Sequence, residues 1–94
     1  MLDFYFIQND QTKPNYPKDV EFAGSLDFDI FERLQRKGVI SNHYNYYSDF
    51  YWSREVIAQI IEKTKDSKDT DKELLLQIIE KAYSKKQALV AYCD

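Results

Sequence analysis

Six of the ten residues from His43 to Trp52 are Phe, Tyr or Trp, and four of these are the tyrosines Tyr44, Tyr46, Tyr47 and Tyr51. A tyrosine offers a large contact area with few rotors to freeze, and a hydroxyl besides, which is the chemistry of a binding surface. Phe50 and Trp52 suit the anchoring of a long loop to a core, and the tyrosines suit covering the helices beside it. The number of hydroxyls nonetheless exceeds what internal pairing would use. Asp49 lies within the stretch, and Asp27, Asp29 and Glu32 gather at the start of a predicted helix, whose positive end stabilises acids. These eight residues predict a surface on which tyrosines supply contact area and carboxylates pair with the Lys or Arg of a basic partner.

Other chemistry is poorly provided for. His43 could act as a general base, but no Gly-flanked Ser and no nearby cysteine accompany it, so it reads as a solvated turn residue. Cys93 is the one cysteine, which excludes an internal disulfide and multi-Cys zinc sites, and it reads as a small residue of a terminal strand. With one histidine as well, no transition metal and no other cofactor is expected. Asp66, Asp69 and Asp71 invite comparison with a calcium loop, but the run has no glycine and places Lys68 and Thr70 among the acids. Two glycines in the whole chain cannot build a phosphate-cradling loop. The segment Pro14-Asn15-Tyr16-Pro17 reads as an ordered loop more simply than as a polyproline ligand.

The formal charge is −3, and all of the imbalance falls in residues 1–60, with nine acids against six bases. No basic stripe exists to displace counterions from nucleic acid, so a basic protein is the expected partner. Met1-Leu2-Asp3 puts an acid where a secretory signal needs bases, and no apolar run approaches the ~20 residues of a membrane helix. An unpaired thiol suits a reducing cytoplasm.

The elements that must position these residues follow from periodicity. Leu2 to Ile7 is a strand with Leu2, Phe4 and Phe6 on one face and Tyr5 and Ile7 on the other, an interior strand covered by helices on one side and by something lesser on the other. Gln8 to Asp19 is a loop punctuated by Pro14 and Pro17, and Val20 to Ala23 is a short strand ended by Gly24. Ser25 or Asp27 caps a helix through Phe28, Ile30, Phe31 and Leu34 that stops at Gly38. Ser53 caps a second helix along Val56, Ile57, Ile60, Ile61 and Thr64. After a charged connection, Thr70-Asp71-Lys72-Glu73 fits a capping box opening a third helix along Leu74, Leu75, Ile78, Ile79 and Ala82. The last two helices form an antiparallel hairpin, and Ala88 to Cys93 closes the chain as a strand beside the first. The 94 residues therefore predict one α+β domain, a two-layer sandwich with a small sheet that includes both terminal strands.

The strings Met1-Leu2-Asp3-Phe4-Tyr5-Phe6-Ile7, Glu21-Phe22-Ala23-Gly24 and Tyr47-Ser48-Asp49-Phe50-Tyr51-Trp52-Ser53 resemble those of short, uncharacterised bacterial single-domain proteins. In size, acidity and poverty of catalytic groups the chain is also similar to immunity proteins, cytoplasmic inhibitors that neutralise bacterial toxins. That resemblance implies a non-enzymatic inhibitor masking a basic toxin surface, and it carries no catalytic residue with it. The aromatic stretch would also serve a small-molecule or sugar-binding module as a stacking platform, or a homodimer as its interface.

Overall fold

The computed structural model describes residues 1–8 and 20–93. The element order is β1 (Leu2–Ile7), β2 (Glu21–Leu26), α1 (Phe28–Arg36), β3 (Phe50–Trp52), α2 (Arg54–Thr64), α3 (Thr70–Ser84) and β4 (Ala88–Cys93). The strands form one antiparallel sheet in the order β2-β1-β4-β3, so β1 is interior and pairs with β4, as alternation and the terminal apolar runs predict. The loop expected around Pro14 and Pro17 lies outside the described residues.

Alternation along the strands sends Leu2, Phe4, Phe6, Leu89, Ala91 and Trp52 to the helical side, where they meet Phe31 and Leu34 of α1, Ile57 and Ile60 of α2, and Leu75, Ile78 and Ile79 of α3. The opposite face carries a smaller cluster of Ile7, Ala88, Val90 and Tyr92, with Tyr5 and Tyr51 packed against it. In the sheet, Val90 stands between Tyr5 and Tyr51.

Three local expectations need correction. Strand β3 lies where sequence suggests only an aromatic loop; its three residues pair with β4 and complete the edge of the sheet. Strand β2 runs through Gly24 instead of ending there, because a bulge opposite Phe4 and Tyr5 inserts Ala23. Helix α3 is capped by Asp69, whose side chain accepts from the Lys72 amide at 3.2 Å, so Thr70 is already helical and the capping box does not form. Asp71 lies on the helix's buried side, 8% exposed, and Leu74, expected on the apolar stripe, is exposed. The caps at Asp27 and Ser53 and the left-handed stop at Gly38 (φ 75°) match expectation.

Gly24 is needed for space. A Cβ there would lie 2.7 Å from Cγ1 of Ile78, and its φ of 155° strains any other residue. Conversely, α3 ends with Lys86 in the left-handed region at φ 58°, a position that glycine takes without penalty. The two sites predict opposite outcomes in thermal unfolding. Gly24→Ala should destabilise by about 1–3 kcal/mol through overpacking, and combining it with Ile78→Ala should cost less than the sum of the two changes. Lys86→Gly should stabilise by roughly 0.5–1 kcal/mol.

Candidate functional site

Helix α1 presents three faces. At about 100° per residue, Phe31 and Leu34 point to the sheet, Arg33 and Lys37 to α3, and Phe28, Glu32 and Gln35 to the segment that follows the helix. That segment, residues 41–49, folds back along α1 and encloses with it an open cleft of about 310 Å³. Phe28, Phe31, Glu32 and Gln35 form one wall, and Asn42 to Tyr47 form the other.

Side chains stabilise the loop where no strand or helix can. The Gln35 amide donates to the carbonyls of Ser41 (3.1 Å) and Tyr44 (2.8 Å), tying the loop to the helix at two points. Asn45 accepts the Tyr47 amide at 2.8 Å, a side-chain-closed turn in which the Tyr46 and Tyr47 rings meet edge-on at 5.2 Å. Tyr46 falls inward, 8% exposed, against Phe28 and Phe31, and burial pushes its hydroxyl above the usual tyrosine range. Tyr47 falls outward, 70% exposed, and stacks on Phe28 with the centroids 5.9 Å apart and the planes 26° apart.

Tyr44 separates the cleft from a smaller hollow of about 160 Å³ toward Val56 and Ile60. Its ring packs on Phe50 and, edge-on, on Trp52. Burial raises its hydroxyl, and the adjacent indole lowers it by a lesser amount; the Trp52 N–H, fully buried, does not attain hydrogen-bond geometry.

The eight residues singled out in the sequence thus divide. Tyr44, Tyr46, Tyr47 and Glu32 come together in the cleft, with Tyr46 as packed floor in place of the contact residue expected. Asp27 and Asp29 stand at the start of α1 beside Phe28, and Asp27 is also engaged in accepting the Ile30 amide at 2.8 Å. Asp49 and Tyr51 do not line the cleft; Tyr51 faces the opposite side of the sheet because strand alternation in β3 sends it away from Phe50 and Trp52. Phe28 and Gln35 were missed as site residues. Their signal was the helical spacing that puts them beside Glu32, legible only once the loop was known to fold back along that face.

His43 is exposed, with Nδ1 2.7 Å from the Ser41 hydroxyl and its ring stacked on Tyr44. Among the described residues no carboxylate orients this imidazole, so the pair lacks the third group of a Ser–His catalytic arrangement. Nor do three His, Cys, Asp or Glu side chains converge as metal ligands among the described residues. No helix there is long and apolar enough to cross a membrane. A second groove, about 440 Å³, runs over Ala58, Ile61, Leu76 and Tyr83 on the outer side of the α2–α3 hairpin.

The cleft keeps its shape through the far face of α1. Arg33 grips Asp71 with two hydrogen bonds, 2.7 Å and 3.0 Å, and Lys37 reaches both Asp69 (2.5 Å) and Asp71 (3.1 Å). The Arg33 guanidinium, with Lys37 beside it, holds the Asp71 carboxyl well below its usual 3.8, at about 2, against the opposing effect of burial. A folded-state value below the unfolded one means that this contribution is complete above pH 3.8 and lost as pH falls toward about 2. Asp71→Asn should therefore melt roughly 5 °C below the parent at neutral pH. The gap should close as both proteins are acidified through that window, which a melting series in pH will check.

No family model matches the chain, and no curated protein or solved structure shows significant similarity to it.

Proposed function

We propose that the chain is a non-enzymatic binding protein of the immunity type, acting in the cytoplasm, that lays its aromatic, acid-rimmed cleft on the basic surface of a toxin-like protein. The observation that carries this reading is the stacked pair of Phe28 and Tyr47, 39% and 70% exposed, at a cleft that Glu32 also lines, with Asp27 and Asp29 flanking Phe28 in sequence. Aromatic area left in water next to concentrated negative charge is what a hot spot for a cationic partner requires: rings for contact, acids for steering and register.

Of these three acids, Glu32 alone forms an ion pair among the described residues. Of the three bases on or just beyond α1, Arg33 and Lys37 are tied to α3, and Arg36 pairs with Glu32 on the surface. A single cysteine, which excludes a disulfide within the chain, agrees with a reducing compartment.

Aromatic and acidic substitutions should fail differently when binding to a captured partner is followed at two salt concentrations. Tyr47→Ala should lower the melting temperature of the free protein by only a few degrees, since the ring is 70% exposed, and speed dissociation by about 1–3 kcal/mol if the ring is central. Asp29→Asn should mainly slow association and flatten its salt dependence. A partner that binds both variants with parental kinetics removes the cleft from the interface, and an acidic partner overturns the reading itself.

A further inference from the structure

We infer that the cleft is built for an arginine side chain, so that the anchor a basic partner inserts beside Phe28 and Tyr47 is a guanidinium. This rests on the proposed binding function and narrows it from a basic surface to one kind of group.

The argument starts with Gln35. Both hydrogens of its amide are committed, one to the Ser41 carbonyl and one to that of Tyr44. Turning the amide over would set its oxygen against two carbonyl oxygens, so the orientation is fixed and the group left over is an acceptor. Glu32 sits three residues earlier on the same helical face and also lines the cleft, contributing a carboxylate. That wall therefore offers acceptors and asks for a ligand rich in donors.

The second requirement is shape. The Tyr47 ring, 70% exposed and stacked on Phe28 with the planes 26° apart, is held as a flat surface at the cleft's edge. A planar, weakly hydrated guanidinium stacks on such a surface while its edge carries a fork of N–H donors toward a carboxylate. A lysine ammonium is compact and strongly hydrated, and would satisfy the acceptors without using the platform. The same chemistry already operates on the other side of α1, where Arg33 makes two hydrogen bonds to Asp71. Glu32 can be recruited because its contact with Arg36 joins exposed side chains one helical turn apart, and pairs of that kind are weak.

The test is a titration followed by amide chemical shifts, with four blocked probes: N-acetyl-arginine amide, N-acetyl-lysine amide, N-acetyl-citrulline amide, which has arginine's shape without its charge, and methyl glucoside. The arginine probe should shift residues 44–47 and bind roughly tenfold more tightly than citrulline. It should also be preferred over lysine. Glu32→Gln should weaken the arginine probe by roughly tenfold, and Tyr47→Ala should abolish its advantage over lysine. Each variant is to be confirmed as folded by its melting temperature. Equal affinity for the arginine and lysine probes overturns the guanidinium assignment while leaving a basic partner in place. Shifts from methyl glucoside alone overturn both, in favour of a sugar site. No shift in the cleft with any probe overturns the arginine assignment, and the partner kinetics described above then decide separately whether the cleft is an interface.

Discussion

An unbroken run of aromatic contacts links the middle of the sheet to the surface of the loop. Phe4 meets Trp52 at 5.1 Å between ring centroids, Trp52 meets Phe50 at 5.4 Å, and Phe50 meets Phe31 at 6.2 Å. Phe31 then packs on Tyr46, Tyr46 on Phe28, and Phe28 on Tyr47. Residues 41–49 have few backbone hydrogen bonds of their own, namely the turns closed by Tyr44 and Ser48. Ring packing, with the two bonds from Gln35, therefore determines where that segment lies. Offset and edge-on ring pairs each contribute about 0.5–1.5 kcal/mol beyond the area they bury, and the series is anchored at Trp52, which is wholly buried.

Much of this was legible in the sequence, for reasons that differ by element. Helix α2 follows from Ile57, Ile60 and Thr64 because periodicity and burial agree there. Strand β1 reads as interior because apolar residues occupy both of its faces, and two clusters of different size do lie on those faces. Strand β3 was not legible: three consecutive aromatics have no alternation to detect, and only pairing with β4 reveals which of them faces the core. The start of α3 was misplaced by one residue because Asp69 and Thr70 are both competent caps. Asp69 also accepts from Lys37 of the first helix, distant in sequence, and no local pattern encodes that contact.

The site shows the same division. Composition drew attention to residues 44–51 and to the acids near the start of α1, and part of each group does meet in one cleft. What composition could not give was direction. Tyr46 and Tyr47 are identical in type, adjacent in sequence and in edge-on contact, yet Tyr46 is buried against Phe28 and Phe31 and Tyr47 is 70% exposed, a difference set by how the turn at Asn45 meets α1. Tyr51 has the same chemistry again and belongs to the opposite face of the sheet.

Helix α1 also sorts its charges. Asp27 and Asp29 lie at the positive end, and Arg33, Arg36 and Lys37 toward the negative end, with Glu32 between them, so both end sets are stabilised where they stand. A helix so arranged separates charge along its length at little cost. The clamp to α3 then removes Arg33 and Lys37 from the loop side, since their donors are spent on Asp69 and Asp71. What the cleft wall keeps is Glu32, which pairs on the surface with Arg36. The three ion contacts that fix the orientation of α1 thus also draw Arg33 and Lys37 away from the cleft, and fold and proposed recognition depend on the same clamp.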